Sequence, residues 1–269
     1  MRRLLMVSAA FLAIGASTAL ARTRVVCTLA TDAQSGEVLL EEGDCAGRMA
    51  PASTFKIAIA LMGFDSGVLQ SPEAPELAFK EGYADWRPEW KQATTPARWM
   101  KYSVVWYSQQ VTQTLGEQAY RRYTEAFGYG NADVSGDPGK HNGLTQAWLS
   151  SSLEISPREQ VDFLRRMIGG QLPVSPEAVA NTAAITDYGM KGDGWHVHGK
   201  TGAGLPRGDD GELLRGQPFG WFVGWAEKDG RKVVFARLIR DSERQETPPG
   251  FRARDGVIEA LFATNGAID

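Results

Sequence analysis

Apolar and polar positions alternate in strand-like fashion near both ends of the chain. Residues 24–31 and 37–42 are of strand length, and the Gln-Ser-Gly turn at 34–36 joins them. Three later segments have the same character: residues 195–201, 220–227 and 232–239. Asp229-Gly230 separates the last two, and this dipeptide is a common hairpin signal. The pattern predicts strands at both ends of the chain.

The middle of the chain follows helical spacing instead. Apolar positions predict helices over residues 103–115 and 116–127. A further helix is predicted from Ser156-Pro157 to Ile168, because serine is a good N-cap and proline suits the first turn. A last helix is expected over residues 252–262. Residues 128–143 have loop composition, and residues 70–95, rich in Pro, Glu and Trp, are interpreted as an irregular surface excursion.

This order of elements predicts an α+β fold. An antiparallel β-sheet would be built from both chain ends and flanked by helices, with an all-helical region inserted between them. Apolar residues make up 43% of the 269 residues, which is enough for a core, and no linker or repeat divides the chain. We therefore expect one domain over residues 22–269.

The first 21 residues have the pattern of a cleaved secretory signal. Arg2 and Arg3 precede an apolar run over residues 4–14, and Ala19-Leu20-Ala21 is a small-x-small cleavage site. An uncleaved membrane anchor is the alternative, although the run is too short to span a bilayer comfortably. We expect cleavage after Ala21, a secreted or periplasmic protein, and no stable membrane anchor afterwards.

Charge and cysteine content limit the expected partners and the expected cellular compartment. Without the signal, 27 Lys and Arg face 32 Asp and Glu, so nucleic acid is not an expected partner. Export permits a disulfide, and a hairpin of the first two strands would bring Cys27 and Cys45 roughly opposite each other. Such a bridge would stabilise the fold by about 3 kcal/mol. Two unpaired thiols are the alternative, because the sequence separation of the two cysteines does not determine the geometry of the loop between them.

Ser53-Thr54-Phe55-Lys56 is the first motif that carries chemistry. If a helix begins near Ser53, the hydroxyl and the Lys56 amine share a face, and the serine sits at the positive helix end. A lysine amine, with a reference pKa near ~10.4, becomes a base only in an apolar setting that disfavours the ammonium. Taken alone, Ser53 could equally be a helix cap.

Lys200-Thr201-Gly202 is the second motif, at the end of a predicted strand. An ammonium and a hydroxyl beside a glycine suit a substrate that carries a carboxylate. By itself this tripeptide could be an edge lysine followed by a turn.

In this order the two motifs resemble those of serine acyl-transferases that act on penicillin-like rings. Between them the chain has three further motifs: Ser103-Val104-Val105, Tyr129-Gly130-Asn131 and Trp148-Leu149. Together they make the mature chain resemble a class D (oxacillinase-type) serine β-lactamase over essentially its whole length. Tyr129-Gly130-Asn131 is interpreted as a turn that shapes the site rather than as catalytic machinery.

The resemblance implies a role for each catalytic residue. Ser53 would be acylated, and Lys56 would be its general base. Lys56 would react with CO2 to form a carbamate (N6-carboxylation), held by the indole N–H of Trp148, with no other cofactor. Ser103 would relay a proton to the leaving nitrogen.

The resemblance also implies the substrate contacts. Val105 and Leu149 would shield the base from water. Backbone N–H groups of Ser53 and Ala203 would bind the oxyanion. The remaining implied contacts, to the substrate carboxylate, come from Lys200, Thr201, Gly202 and an arginine that is either Arg252 or Arg254. The Phe251-Arg252 pairing favours Arg252.

No acidic residue is in place to activate the second water. Glu154 alternates with Leu153 and Ile155, so we expect it to point to solvent. Lys56 must therefore serve both acylation and deacylation.

Alternatives to a β-lactamase are a D,D-peptidase and a sensor domain that stays acylated. His196 and His198 could share a strand face as zinc ligands, but a catalytic zinc usually takes three protein ligands and His141 lies in a distant loop. No metal is expected. The expected partner is a small β-lactam, and a homodimer stays possible.

Overall fold

The structure is a computed structural model that describes residues 23–268. The predicted secretory segment, residues 1–21, lies outside the described residues. One antiparallel sheet of six strands has the spatial order β2-β1-β6-β5-β4-β3. Its strands are β1 (Thr23–Asp32), β2 (Val38–Gly43), β3 (Asp187–Lys191), β4 (Trp195–Gly204), β5 (Phe219–Lys228) and β6 (Arg231–Asp241). The prediction of an antiparallel sheet built from both chain ends is confirmed.

The hairpin between β5 and β6 forms where the sequence predicts it. Asp229 and Gly230 both have positive φ, at 51° and 81°. Two-residue hairpin turns with this backbone match the right-handed twist of the strands, which explains why Asp-Gly closes them.

Within residues 23–268, seven α-helices accompany the sheet. They are α1 (Lys56–Asp65), α2 (Pro96–Tyr102), α3 (Val105–Ala126), α4 (Gly143–Gln146), α5 (Pro157–Ile168), α6 (Pro176–Ile185) and α7 (Pro249–Phe262). Ser156 caps α5 as predicted, and Glu159 completes a capping box. In the part of the chain that is described, no helix combines the length and the apolar character needed to cross a membrane.

The two helices predicted over 103–127 are one merged helix. α3 begins at Val105 rather than Ser103, because Ser103 has a left-handed backbone (φ 57°) and ends α2. Non-helical dihedrals at Gly116 (φ 76°, ψ 161°) interrupt α3 where the predicted boundary lies. Four elements were not predicted: α2, α4, α6 and β3.

The sheet separates two hydrophobic clusters. Trp221 and Val223 of β5 belong to the cluster shared with the helical region, whereas Phe222 belongs to the cluster shared with Val257 and Leu261 of α7. Every residue from Phe219 to Ala226 is buried, because both faces of β5 are covered. This central strand therefore provides a rigid support for β4 beside it.

A disulfide joins Cys27 of β1 to Cys45 just after β2, with 5.1 Å between their Cα atoms. The two thiols predicted to come together are thus bridged, and the alternative of unpaired thiols is wrong.

Candidate active site

Ser53 lies in a tight turn that leads into α1. Residues Ala52–Phe55 form a 3-10 helix, and Ala52 just before the serine has a left-handed backbone (φ 49°). The Lys56 Nζ donates a hydrogen bond to the Ser53 Oγ over 3.1 Å. The predicted juxtaposition of the two side chains is therefore present.

Gly202 lets β4 approach this turn closely. A Cβ atom at Gly202 would lie 2.9 Å from the Pro51 carbonyl oxygen and 3.1 Å from the Thr54 Cγ2. The first distance is shorter than real Cβ atoms tolerate, so any larger residue would push β4 away from Ser53. The glycine thereby keeps the strand that carries Lys200 against the nucleophile.

Lys56 is completely buried. Burial lowers the pKa of its amine well below the ordinary value, and the nearby charge of Lys200 adds to the decrease. Val105 is 3% exposed and belongs to the same apolar cluster as the side chains around the turn. The physical setting is thus one that disfavours the ammonium form of this lysine.

Trp148 is also completely buried, and its ring packs 6.0 Å from the ring of Phe55, the residue before Lys56. Its indole Nε1 donates to no acceptor within residues 23–268. By contrast, the buried indoles of Trp99 and Trp106 donate to the Ser108 Oγ and the Trp90 carbonyl, each over 2.8 Å. A buried N–H without an acceptor costs about 1–3 kcal/mol, so the Trp148 donor is one that a ligand group could satisfy.

Tyr129-Gly130-Asn131 lies next to the turn that carries Ser53. Tyr129 is completely buried, packs 4.8 Å from the Phe55 ring and donates through its hydroxyl to Gln160. Gln160 in turn donates to the Thr54 Oγ1 over 2.9 Å. The motif contacts the nucleophile turn rather than the cavity, which agrees with its interpretation as a shaping element.

Lys200 is 2% exposed on β4 and donates to the carbonyl oxygen of Thr201 over 3.0 Å. Burial lowers the pKa of its amine to about 7, and the charge of Arg87 contributes. The amine therefore gains or loses its charge close to neutral pH, and a bound carboxylate would favour the charged form.

A cavity of about 910 Å³ collects most of the predicted residues. Eight of the eleven line it: Ser53, Ser103, Val105, Leu149, Lys200, Thr201, Gly202 and Ala203. Lys56 and Trp148 lie buried behind this lining. The lining includes four basic side chains (Arg87, Lys101, Lys200 and Arg254) and two acidic ones (Glu89 and Asp187), so the cavity suits an anion.

The eleventh residue, Arg252, does not line the cavity, contrary to what its predicted contact with a substrate carboxylate would require. Its guanidinium pairs with the buried Asp241 and donates to the Thr247 carbonyl over 3.0 Å. Arg254, two residues later on α7, lines the cavity instead. Residues two apart on a helix point about 200° apart, so only one of them can face the site.

Sequence reasoning missed one wall of the cavity. The segment interpreted as a surface excursion contributes Trp86, Arg87 and Trp90 to the lining. The Trp90 indole donates to the Tyr102 carbonyl over 3.0 Å, which fixes this wall beside Ser103. Of residues 203–217, only Ala203 lines the cavity.

Comparisons with known proteins identify the family to which the chain belongs. A family model for the penicillin binding protein transpeptidase domain matches residues 26–260. The chain is 48% identical over 236 residues to β-lactamase OXA-9 of Klebsiella pneumoniae, covering 87% of this chain and 86% of the relative. It is 37% identical over 243 residues to β-lactamase OXA-1 of Escherichia coli, covering 89% and 84%. The crystal structure of OXA-427 class D β-lactamase superposes with a TM-score of 0.83 at 51% identity, covering 87% and 96%.

Proposed function

The chain belongs to the class D β-lactamases, and we propose that it hydrolyses β-lactam antibiotics through an acyl-enzyme on Ser53. The observation that carries the proposal is the contact between a partly buried serine hydroxyl and a completely buried lysine amine, 3.1 Å apart. A lysine with its pKa lowered by burial can accept the serine proton, which an ordinary ammonium cannot.

We propose that Lys56 acts as a carbamate, formed from its neutral amine and CO2 with release of a proton. The carbamate supplies an anionic oxygen base. Two features of the site suit it: burial lowers the pKa of the amine well below its ordinary value, and the Trp148 indole offers a buried N–H that has no acceptor among the described residues. An indole is a donor only, so it can hold an anionic oxygen but not an ammonium.

The proposed acylation step uses residues that line the cavity. The Ser53 Oγ would lose its proton toward Lys56 and attack the lactam carbonyl carbon. The backbone N–H groups of Ser53 and Ala203 would hold the developing oxyanion. As the lactam C–N bond breaks, Ser103 would deliver a proton to the departing nitrogen.

The substrate carboxylate would bind at the basic end of the cavity. Lys200 and Thr201 contribute an ammonium and a hydroxyl there, and Arg254 takes the role expected of Arg252. A carboxylate next to Lys200 raises its pKa again, so binding and protonation of this amine favour each other.

Deacylation would use the same base. Glu154 is exposed, as predicted, so it does not face the nucleophile, and Lys56 remains the base for water attack on the ester. Water then supplies the hydroxyl of the ring-opened acid and returns the proton to Ser53.

We further propose that the mature protein acts outside the cytoplasm. The bridged cysteines are those of an oxidising compartment, and the first 21 residues have a secretory pattern. Mass analysis of the exported protein would test this, because cleavage after Ala21 leaves Arg22 as the first residue.

A time course with benzylpenicillin tests the proposed reaction. Hydrolysis and intact protein mass are followed together, with and without bicarbonate, for the wild type and for Ser53→Ala. We expect turnover that rises with bicarbonate in the wild type, and no covalent adduct in the variant. A stable one-to-one adduct without turnover would instead identify a sensor domain or a D,D-peptidase, and labelling of Ser53→Ala would remove Ser53 as nucleophile.

A further inference from the structure

We propose that Asp187, His196 and His198 form a binding site for a divalent transition-metal ion of the zinc type. The three side chains lie where β3 and β4 pair at the sheet edge, and Asp187 is the register partner of His198. One ligand atom from each residue lies within 4.8 Å of the others. The third ligand that the two histidines lack in sequence therefore comes from the neighbouring strand.

The donor set suits zinc chemically. Two imidazole nitrogens and one carboxylate oxygen are ligands that zinc accepts at about 2.0–2.2 Å, and a site with three protein ligands keeps a fourth position for water. His196 and His198 point to the same face because they are two residues apart on a strand, and their ring centroids are 4.8 Å apart.

The surroundings of His198 prepare it as a ligand. Its Nδ1 lies 3.0 Å from the Ala183 carbonyl, an acceptor only, so the proton sits on Nδ1 and the lone pair on Nε2. Histidines that bind metals commonly donate their other nitrogen to a backbone carbonyl in this way. The ring also stacks on Trp225 at 4.9 Å and within 4° of parallel, which fixes its orientation.

His196 and Asp187 remain accessible to an incoming ion. Their side chains are 38% and 43% exposed, and the His196 Nε2 lies 2.8 Å from the Asp187 Oδ1. The two histidine rings are within 17° of parallel, so the His196 ring must turn before both nitrogens can point at one ion. Binding would replace the contact between His196 and Asp187 with bonds from both groups to the metal.

The site adjoins the β-lactam cavity without belonging to its catalytic machinery. Asp187 lines that cavity, as do its neighbours Ile185 and Tyr188, whereas the two histidines do not. A bound ion would therefore lie at the cavity rim. The proposal is independent of β-lactam hydrolysis, and its test does not use activity.

Cobalt(II) provides the direct test, because tetrahedral cobalt absorbs visible light strongly. The mature chain, free of any histidine tag, is titrated with cobalt(II), and zinc(II) is then used to displace the signal. His198→Gln removes a ligand, and His141→Gln is the matched control because His141 is exposed in another loop. We expect one saturable site in the wild type and in His141→Gln, and at least tenfold weaker binding in His198→Gln.

Asp187→Asn, which keeps the shape of an exposed side chain, serves as a second variant if His198→Gln does not fold; folding is checked by circular dichroism. We expect it also to weaken cobalt binding at least tenfold. Equal binding by the wild type and the folded ligand variants would overturn the proposal. So would the absence of saturable binding below millimolar cobalt, which would leave Asp187 and His196 as an ordinary surface ion pair.

Discussion

Lys200→Met is expected to stabilise the protein while it weakens substrate binding. Lys200 is 2% exposed, and its folded-state pKa falls from 10.5 to about 7 because burial penalises the ammonium. Methionine has a similar length and no charge, so it fills the same space without that penalty.

The magnitude follows from the two pKa values. At about 1.4 kcal/mol per tenfold change in proton affinity, the wild type is destabilised at pH 7 by up to about 4 kcal/mol relative to a chain with an unperturbed lysine. The variant loses the hydrogen bond to the Thr201 carbonyl, which offsets about 1 kcal/mol, and local relaxation reduces the gain further. We expect a net gain of about 2 kcal/mol, or a rise in Tm of roughly 4–8 °C.

The gain should depend on pH with a defined sign. Between about pH 7 and pH 10.5 the unfolded chain holds the Lys200 proton and the folded chain does not, so wild-type stability rises with pH in this window. The variant lacks this contribution. The difference in Tm between the two proteins should therefore be largest near pH 7 and close to zero near pH 10.

Thermal unfolding by circular dichroism at pH 7, 8.5 and 10 measures this difference, with Lys80→Met as a control at an exposed lysine. The KM for benzylpenicillin should rise at least tenfold in Lys200→Met, because the carboxylate loses its ammonium partner. A Tm below that of the wild type at pH 7, or a gain that does not shrink by pH 10, would refute the argument from burial.

Five further variants test the rest of the site and the fold. Trp148→Phe removes the unpaired indole N–H, and turnover should fall at least tenfold and recover partly with added bicarbonate; full activity without bicarbonate would contradict the carbamate. Lys56→Ala should slow deacylation enough for the acyl-enzyme to be seen by mass spectrometry, and unchanged turnover would exclude Lys56 as the base. Arg254→Ala should raise KM with little change in Tm. Arg252→Ala should lower the free energy of unfolding by about 3–5 kcal/mol, because it leaves the buried Asp241 without its charged partner. If steady-state kinetics and thermal melting showed the reverse pattern, Arg252 would again be assigned to the substrate carboxylate. The double variant Cys27→Ser, Cys45→Ser should lose about 3 kcal/mol, measured by urea unfolding, and equal midpoints for oxidised wild type and variant would show that the bridge contributes nothing.

The sequence was most informative where chemistry depends on local spacing. Ser53 and Lys56 are three residues apart, and a single turn of backbone brings them within hydrogen-bond distance. The start of α5 was equally local, because Ser156, Pro157 and Glu159 each act within one turn. Strand alternation and the Asp-Gly turn located β5 and β6 for the same reason.

Features that depend on tertiary contacts could not be predicted from the sequence. The choice between Arg252 and Arg254 depends on which face of α7 meets the cavity, and both faces carry an arginine. The strand β3, with the sequence Asp-Tyr-Gly-Met-Lys, has only five residues and contains Gly189 with a positive φ of 69°, so its pairing with β4 rather than local propensity makes it a strand. The cavity wall that contains Trp90 has no periodic sequence pattern, and hydrogen bonds of Trp90 with Tyr102 and Trp106 hold it in place.

Several energetically costly features lie at the catalytic cavity, and together they support a function for it. Ala52 and Ser103 adopt a left-handed backbone that glycine would tolerate better, and two lysine amines are buried within reach of each other's charge. The Trp148 indole adds a buried donor without an acceptor in the described chain. Elsewhere, the capping box of α5 and the Asp-Gly turn between β5 and β6 follow local sequence rules. Proteins keep such disfavoured groups where chemistry requires them. The increase in the free energy of unfolding expected for Lys200→Met is therefore the stability cost of burying this one functional lysine.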